Sequence, residues 1–239
     1  MLMEVGKTLN LQYVRSTLAQ KKPSVTIYIR YILSMQFMGD NIYDDPKYWC
    51  GNMGYRPPGY GDFVINTIKE CLVLLYQPQS ILDIGCAYGF SVARFNKLGI
   101  KSIGIDISQY ALDHAPEYAH PYLIKATAWD MPFENHAFDF AFSSGVLEHI
   151  PKRYLKRAIT EICRVCKQGL IGVACSDDPT TIATTSDIAD TTHKVILSQQ
   201  EWQNLFPTGF QIISDSEQSW RFYLIFLLAL DMGYKEKNG

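Results

Sequence analysis

Ile81-Leu-Asp-Ile-Gly-Cys-Ala-Tyr-Gly-Phe90 reads as a short apolar strand that runs into a tight turn and leaves it as a helix. Glycine at positions 85 and 89 lets the backbone approach a ligand with no Cβ in the way. Asp83 stands inside the same stretch, and an acidic group argues against a bound pyrophosphate, which is held by amides alone. It suits a ligand with an ammonium group or a hydrated amino-acid end. A glycine turn by itself also fits a plain strand–helix connection, so its meaning rests on what surrounds it.

Downstream of the turn, strands and helices alternate. Strands are expected at 81–85, 102–107, 122–126, 138–143 and 170–174, with helices at 91–98 and 109–115 between the first three. Gly99 stops the first of these helices. Pro151 suits the first position of another, in which Tyr154, Leu155, Ala158, Ile159, Ile162 and Val165 mark one apolar stripe. Such alternation demands crossovers, and so predicts a Rossmann-like α/β fold, a mostly parallel sheet flanked by helices.

Residues 1–78 differ in character and read as an N-terminal cap or lid of helix and loop, leaving 79–239 as the core domain. A helix within 1–20 should end at Lys21-Lys22-Pro23, and 25–37 fits helix or strand equally. The stretch 41–60 is crowded with Tyr, Trp, Gly and Pro, as an ordered loop would be, and Asp62 can cap a helix over 63–76.

The 239-residue chain is 47% hydrophobic and 19% charged, enough to bury a core unaided. A net charge of −2 gives no support for a nucleic-acid partner. The N-terminus lacks a charged region followed by a long apolar run, so no secretory leader is expected. The longest apolar stretch, 222–230, falls short of the ~20 residues a membrane span needs. Cysteines stand at 50, 71, 86, 163, 166 and 175; the 163/166 pair has no second pair beside it, so free thiols near a helix end and a cytoplasmic location are expected.

Two more acids follow the turn at telling places. Asp106, in Gly104-Ile-Asp106-Ile-Ser108, ends the second strand, where a carboxylate takes the two hydroxyls of an adenosine ribose. Asp130, in Ala128-Trp-Asp130-Met-Pro-Phe133, follows the third strand and could accept the adenine amino group, with Met131 against the ring. Phe138-Asp-Phe-Ala-Phe-Ser-Ser-Gly-Val-Leu-Glu-His-Ile150 then joins the fourth strand to the Pro-started helix.

With the LDIGCAYG turn, GIDIS, WDMPF and FDFAFSSGVLEHI in this order over residues 80–175, the chain resembles the class I S-adenosylmethionine-dependent methyltransferases, especially the small-molecule group. The resemblance implies a seven-stranded sheet with one reversed edge strand, the last two strands being 211–214 and 220–228. It implies S-adenosyl-L-methionine as cofactor, with Asp83, Gly85, Ala87 and Gly89 lining its methionine end. Asp106 and Ile107 would hold the ribose, Asp130 and Met131 the adenine, and Ser143 with Val146 the rim beside the sulfonium. One departure is Cys86-Ala87-Tyr88, where many members carry glycine in the middle.

A sulfonium is already an activated methyl donor, so the protein must align a nucleophile in line and exclude water. A hydroxyl acceptor also benefits from a base. His149, after the fourth strand, and His193 are the candidate catalytic residues. His193 lies in Asp190-Thr-Thr-His193-Lys, ahead of a capped helix beginning at Ser198-Gln-Gln-Glu-Trp202. That arrangement resembles methyltransferases acting on sugars and cell-surface glycans, and Asp190 would orient the imidazole. Asp177, Asp178, Asp190 and His193 are spaced too irregularly for a divalent-metal site, and no metal is expected.

Tyr55, Arg56 and Tyr60 are candidate substrate-binding residues on a loop that either folds over the cofactor or packs as an aromatic brace. Lys152, Arg153, Lys156 and Arg157 share one helix stripe, a solvated face or a phosphate contact. The expected reaction is methyl transfer to a hydroxyl of a small molecule or glycan sugar, by a monomer or homodimer. The alternatives are methylation of a quinone or other natural product, and a non-catalytic S-adenosylmethionine-binding module.

Overall fold

The computed structural model describes residues 68–178 and 193–215. Of these, 68–76 belong to one compact unit, helical over 68–74, and the remainder to another that holds the sheet. The cap elements expected over 1–60, with Tyr55, Arg56 and Tyr60, lie outside the described residues, as do Asp190 and the strand expected at 220–228.

Six described strands form one sheet: β1 (Ser80–Ile84), β2 (Lys101–Asp106), β3 (Leu123–Lys125), β4 (Phe138–Ser144), β5 (Cys166–Val173) and β6 (Phe210–Ser214). Their order is β3-β2-β1-β4-β5-β6, and all five pairings are parallel. The sheet is therefore the expected doubly wound one, with six strands rather than seven among the described residues and no reversed strand among them. The order switches direction between β1 and β4, and ligands of such sheets lie at the carboxyl ends of the strands beside that switch.

Local chemistry sets the helices. α1 (Phe90–Lys97) begins at Gly89 and ends where Leu98 closes on Arg94 and Gly99 turns left-handed at φ 81°. Asn96 leaves the helix by its amide, pairing with both Ser102 N–H and Ser102 C=O and so locking α1 to β2. α2 (Gln109–Asp113) is capped by Ser108, whose Oγ accepts from Ala111 N–H at 3.1 Å. α3 (Lys152–Val165) starts one residue later than expected, with Pro151 at its cap, and buries Leu155, Ala158, Ile159, Ile162 and Val165. α4 (Gln199–Asn204) carries the expected capping box between Ser198 and Glu201.

β5 differs from the sequence reading. It starts at Cys166, directly after α3, because Cys166 and Gln168 already pair with Phe138 and Phe140 of β4. Cys166 is thus a buried strand residue, while Cys163 stays on α3 half-buried; both are free thiols, pushed up by burial to about 12 and about 11. The core runs from Leu82 and Ile84 through Ala141, Ile162 and Ile171 to Trp202 and Phe210. Trp202, fully buried, donates its indole N–H to Ala174 C=O at 3.2 Å.

Candidate active site

The β1–α1 turn owes its shape to three left-handed residues: Gly85 at φ 76°, Ala87 at φ 48° and Gly89 at φ 71°. Gly85 N–H and Cys86 N–H both donate to Ile105 C=O, at 2.8 and 3.0 Å, and Gly89 N–H closes on Cys86 C=O at 2.8 Å. A Cβ on Gly85 would lie 2.3 Å from Val146 Cγ2, and one on Gly89 would lie 2.6 Å from Leu123 Cδ2. Both glycines are therefore required by space as well as by conformation. Cys86 is accommodated because Gly104 faces it: a Cβ there would stand 2.7 Å from Cys86 Sγ. Ala87 accepts a conformation that costs an L-residue roughly 1–2 kcal/mol.

Asp106 holds Ala87 in that conformation. Its Oδ2 accepts from Ala87 N–H at 2.9 Å and its Oδ1 from Ser108 N–H at 2.7 Å, tying the turn to the end of β2. A carboxylate has about four acceptor positions, so two remain for the hydroxyls of a ribose. Ile107, next along, leaves 59% of its surface exposed, an apolar face beside the turn. Asp83 is buried at the end of β1.

On the other flank, Asp130 is exposed and pairs with Arg157 at 3.0 Å, so one member of the basic stripe is an ion-pair partner. Met131 is buried in the core, and its N–H donates to Glu161 Oε2 at 3.0 Å. Arg164 braces the same loop. Its guanidinium clasps Glu161 at 2.6 and 2.7 Å and donates to Phe133 C=O, Met131 C=O and Asn135. The Arg164 contacts hold the Glu161 carboxyl below its ordinary range. Trp129 stacks on Tyr154 with ring centroids 4.7 Å apart.

Ser143 departs from its expected place at the rim. It is fully buried, and its hydroxyl donates to Ile84 C=O at 3.0 Å, stitching β4 to β1. Val146 is half-buried and stands against Gly85.

The fold brings the two candidate histidines together. After β4, residues Leu147–His149 form a 3-10 turn. Glu148 C=O accepts from Lys194 N–H at 2.7 Å and Val195 N–H at 3.1 Å, which pins the distant segment onto this turn. The His149 and His193 rings meet edge-to-face, with centroids 4.8 Å apart, and both are half-buried. Glu148 lies close to both, 2% exposed, its Oε1 accepting from Ala174 N–H at 2.9 Å. Burial pushes its carboxyl up to about 7, with Asp215 adding to the rise. Asp215, just past β6, accepts from the Ser144 hydroxyl at Oδ2. Sequence reasoning missed Glu148 and Asp215, because the feature that sets them apart, burial among other strand ends, is not a local property.

The remaining acids weighed for a metal have structural work. Asp177 accepts from Gln199 N–H at 2.9 Å and Asp178 from the Ser214 hydroxyl at 2.6 Å.

A family model described as a methyltransferase domain matches residues 82–173, the segment from β1 to the end of β5. Residues 82–173 thus match a methyltransferase domain, in keeping with the S-adenosylmethionine-dependent methyltransferases that the motif order resembles. An uncharacterized methyltransferase of Mycobacterium sp. (strain JLS) is 28% identical over 96 residues, 40% of this chain and 37% of that protein. The sterol 4-C-methyltransferase strm-1 of Caenorhabditis elegans is 28% identical over 137 residues, 52% of this chain and 40% of that protein. The match thus spans well under half the length of either relative. A crystal structure of an S-adenosylmethionine-dependent methyltransferase from Archaeoglobus fulgidus shares the fold at TM-score 0.52 and 18% identity, covering 62% of this chain and 67% of that one.

The methyltransferase domain takes S-adenosyl-L-methionine as its cofactor, and the turn fits that group. The left-handed turn at Gly85, Ala87 and Gly89, the remaining acceptor capacity of Asp106 and the exposed Ile107 side chain all lie at the carboxyl ends of β1 and β2. No helix among the described residues is long and apolar enough to cross a membrane.

Proposed function

We propose that the chain transfers a methyl group from S-adenosylmethionine to a hydroxyl of a small molecule or glycan sugar. The observation that carries this reading is the convergence of polar side chains at the ends of β4, β5 and β6: Ser144, Glu148, His149, His193 and Asp215. A quinone or another broad apolar acceptor would need an apolar wall there instead. Polar groups clustered in a partly enclosed place suit a polyhydroxylated acceptor.

In this reading Asp83, Gly85, Ala87 and Gly89 receive the methionine end of the cofactor. Asp106 and Ile107 receive the ribose, Asp130 and Met131 the adenine, and Val146 forms the β4 side of the site. The bound cofactor supplies an electrophilic methyl carbon. His149 and His193 hydrogen-bond the acceptor hydroxyl and hold its oxygen in line, while Val146 and Leu147 keep water from the β4 side. The methylation of a sterol-like, quinone or other natural-product acceptor is the second reading, favoured by the name of the Caenorhabditis elegans relative.

The test is transfer of a labelled methyl group by the full chain to panels of sugars, glycans, quinones and sterols. Label should enter the hydroxylated sugars. His149→Ala and His193→Ala should retain S-adenosylhomocysteine binding but lose transfer by about 100-fold, the scale of a misplaced nucleophile. Asp106→Asn should instead weaken that binding by about tenfold, the loss of one charge-assisted hydrogen bond. Label in quinones or sterols alone would establish the second reading; binding with no transfer to any acceptor would mark a non-catalytic module.

A further inference from the structure

Glu148 poses a problem that methyl transfer does not solve. Its carboxylate is enclosed, with 2% of the residue exposed, and among the described residues Oε2 has no hydrogen-bond partner. A buried carboxylate oxygen left unsatisfied costs several kilocalories unless a proton, a cation or a metal compensates it. Among the described residues no lysine or arginine pairs with it, and the acid acting on it from nearby, Asp215, is of like charge. What does stand beside it is a pair of imidazoles. One ligand atom from each of Glu148, His149 and His193 falls within 4.8 Å of the others.

Two imidazoles and one carboxylate are a donor set for divalent transition metals such as zinc, and three protein ligands leave one position open. A tetrahedral shell with bonds of about 2.0–2.1 Å sets neighbouring ligand atoms about 3.3 Å apart. From separations of up to 4.8 Å, the three side chains reach that spacing by closing at most about 1.5 Å through side-chain rotation. The backbone is already braced for it. Lys194 N–H and Val195 N–H hold the His193 segment on Glu148 C=O, and Ala174 N–H engages Glu148 Oε1, leaving Oε2 available to a ligand. Among the described residues, Cys86, Cys166 and Cys175 are poor thiolate donors, because burial raises each well above the ordinary thiol range.

We propose that Glu148, His149 and His193 bind one divalent transition-metal ion, with its open position toward the half-buried imidazole side, where an oxygen ligand can enter. The site stands on its own donors and does not depend on methyl transfer.

The full chain, stripped of metal with a chelator, is titrated with Co²⁺ and with Zn²⁺ and followed by calorimetry and visible absorption. One equivalent should bind with micromolar or tighter affinity, and Co²⁺ should give the d–d bands of a low-symmetry nitrogen and oxygen site. His193→Ala, whose side chain is half-buried, should weaken binding by at least tenfold, as should Glu148→Gln; Asp177→Asn should leave it unchanged. Should Glu148→Gln fail to fold, His193→Ala and His149→Ala decide the matter. Absence of binding, binding indifferent to His193→Ala, or a thiolate-to-cobalt charge-transfer band would each overturn the proposal. None of these outcomes bears on whether the chain transfers methyl groups, which the acceptor panel tests separately.

Discussion

Replacing Gly85 with alanine probes the cofactor turn at its tightest point, and the cost divides into two parts. The first is conformational: at φ 76° an L-residue lies in the left-handed region, at a cost of roughly 1–2 kcal/mol. The second is steric. The new Cβ would sit 2.3 Å from Val146 Cγ2, 3.0 Å from Cγ1 and 3.2 Å from Cβ, well inside van der Waals contact. Forcing a methyl group into such a place costs about 1–3 kcal/mol through displaced side chains and backbone. The sum is about 2–5 kcal/mol, a large part of the roughly 5–15 kcal/mol that stabilises a typical domain. Gly99 provides the control: it has φ 81°, but nothing lies within 4 Å of the position a Cβ would take. Gly99→Ala should therefore show the conformational part alone, and the effect of alanine on the unfolded chain cancels between the two variants.

Urea denaturation of the full chain, with the slope checked for constancy, gives the difference directly. Gly85→Ala should fall below Gly99→Ala by about 1–3 kcal/mol, and it alone should lose affinity for S-adenosylhomocysteine. Adding Val146→Ala to Gly85→Ala removes the two nearest methyl groups and should restore most of that difference. Equal stability of the two glycine variants, or no recovery on trimming Val146, would refute the close approach of β4 to the turn.

Arg164 should matter more than its place on a surface helix suggests. Arg164→Met keeps the stem but removes every bond to Glu161, Met131, Phe133 and Asn135; urea denaturation should show a loss of about 2–3 kcal/mol, the scale of charge-assisted hydrogen bonds. Asp139 should contribute to acid sensitivity: a 2.7 Å hydrogen bond from Lys167 is the main reason its carboxyl is held below the ordinary range. Its folded-state value lies below the unfolded one, so its contribution is complete above the ordinary carboxylate range and is lost as pH falls through the lowered value. With Lys167 58% exposed the effect is at most about 1 kcal/mol. Asp139→Asn should flatten stability against pH below about 5 by that amount in urea titrations.

Much of this protein was legible wherever the decisive physics is local. The turn at 85–89 announces itself because glycine alone combines left-handed backbone with a missing Cβ, and the structure finds both properties in use at Gly85 and Gly89. Ser108 and Ser198 cap their helices as their side chains dictate, within three residues of the amides they satisfy. The parallel pairing follows from the crossovers that alternating strands and helices require. Boundaries were read less well where pairing partners set them: nothing near Cys166 signals that β5 begins there, since the reason lies in β4.

The amino-acid sequence by itself determined the alternation of elements, the cofactor turn and the order of its acids, because each rests on a few neighbouring residues and on backbone sterics. Only the tertiary structure decided that Ser143 turns inward to Ile84, that Asp106 clasps Ala87, and that Glu148, His149 and His193 form one cluster. The last arises from two backbone hydrogen bonds across a long stretch of chain, and from the burial of one carboxylate close to two rings. Side-chain encounters of that kind are consequences of sheet closure, and no window of sequence carries them.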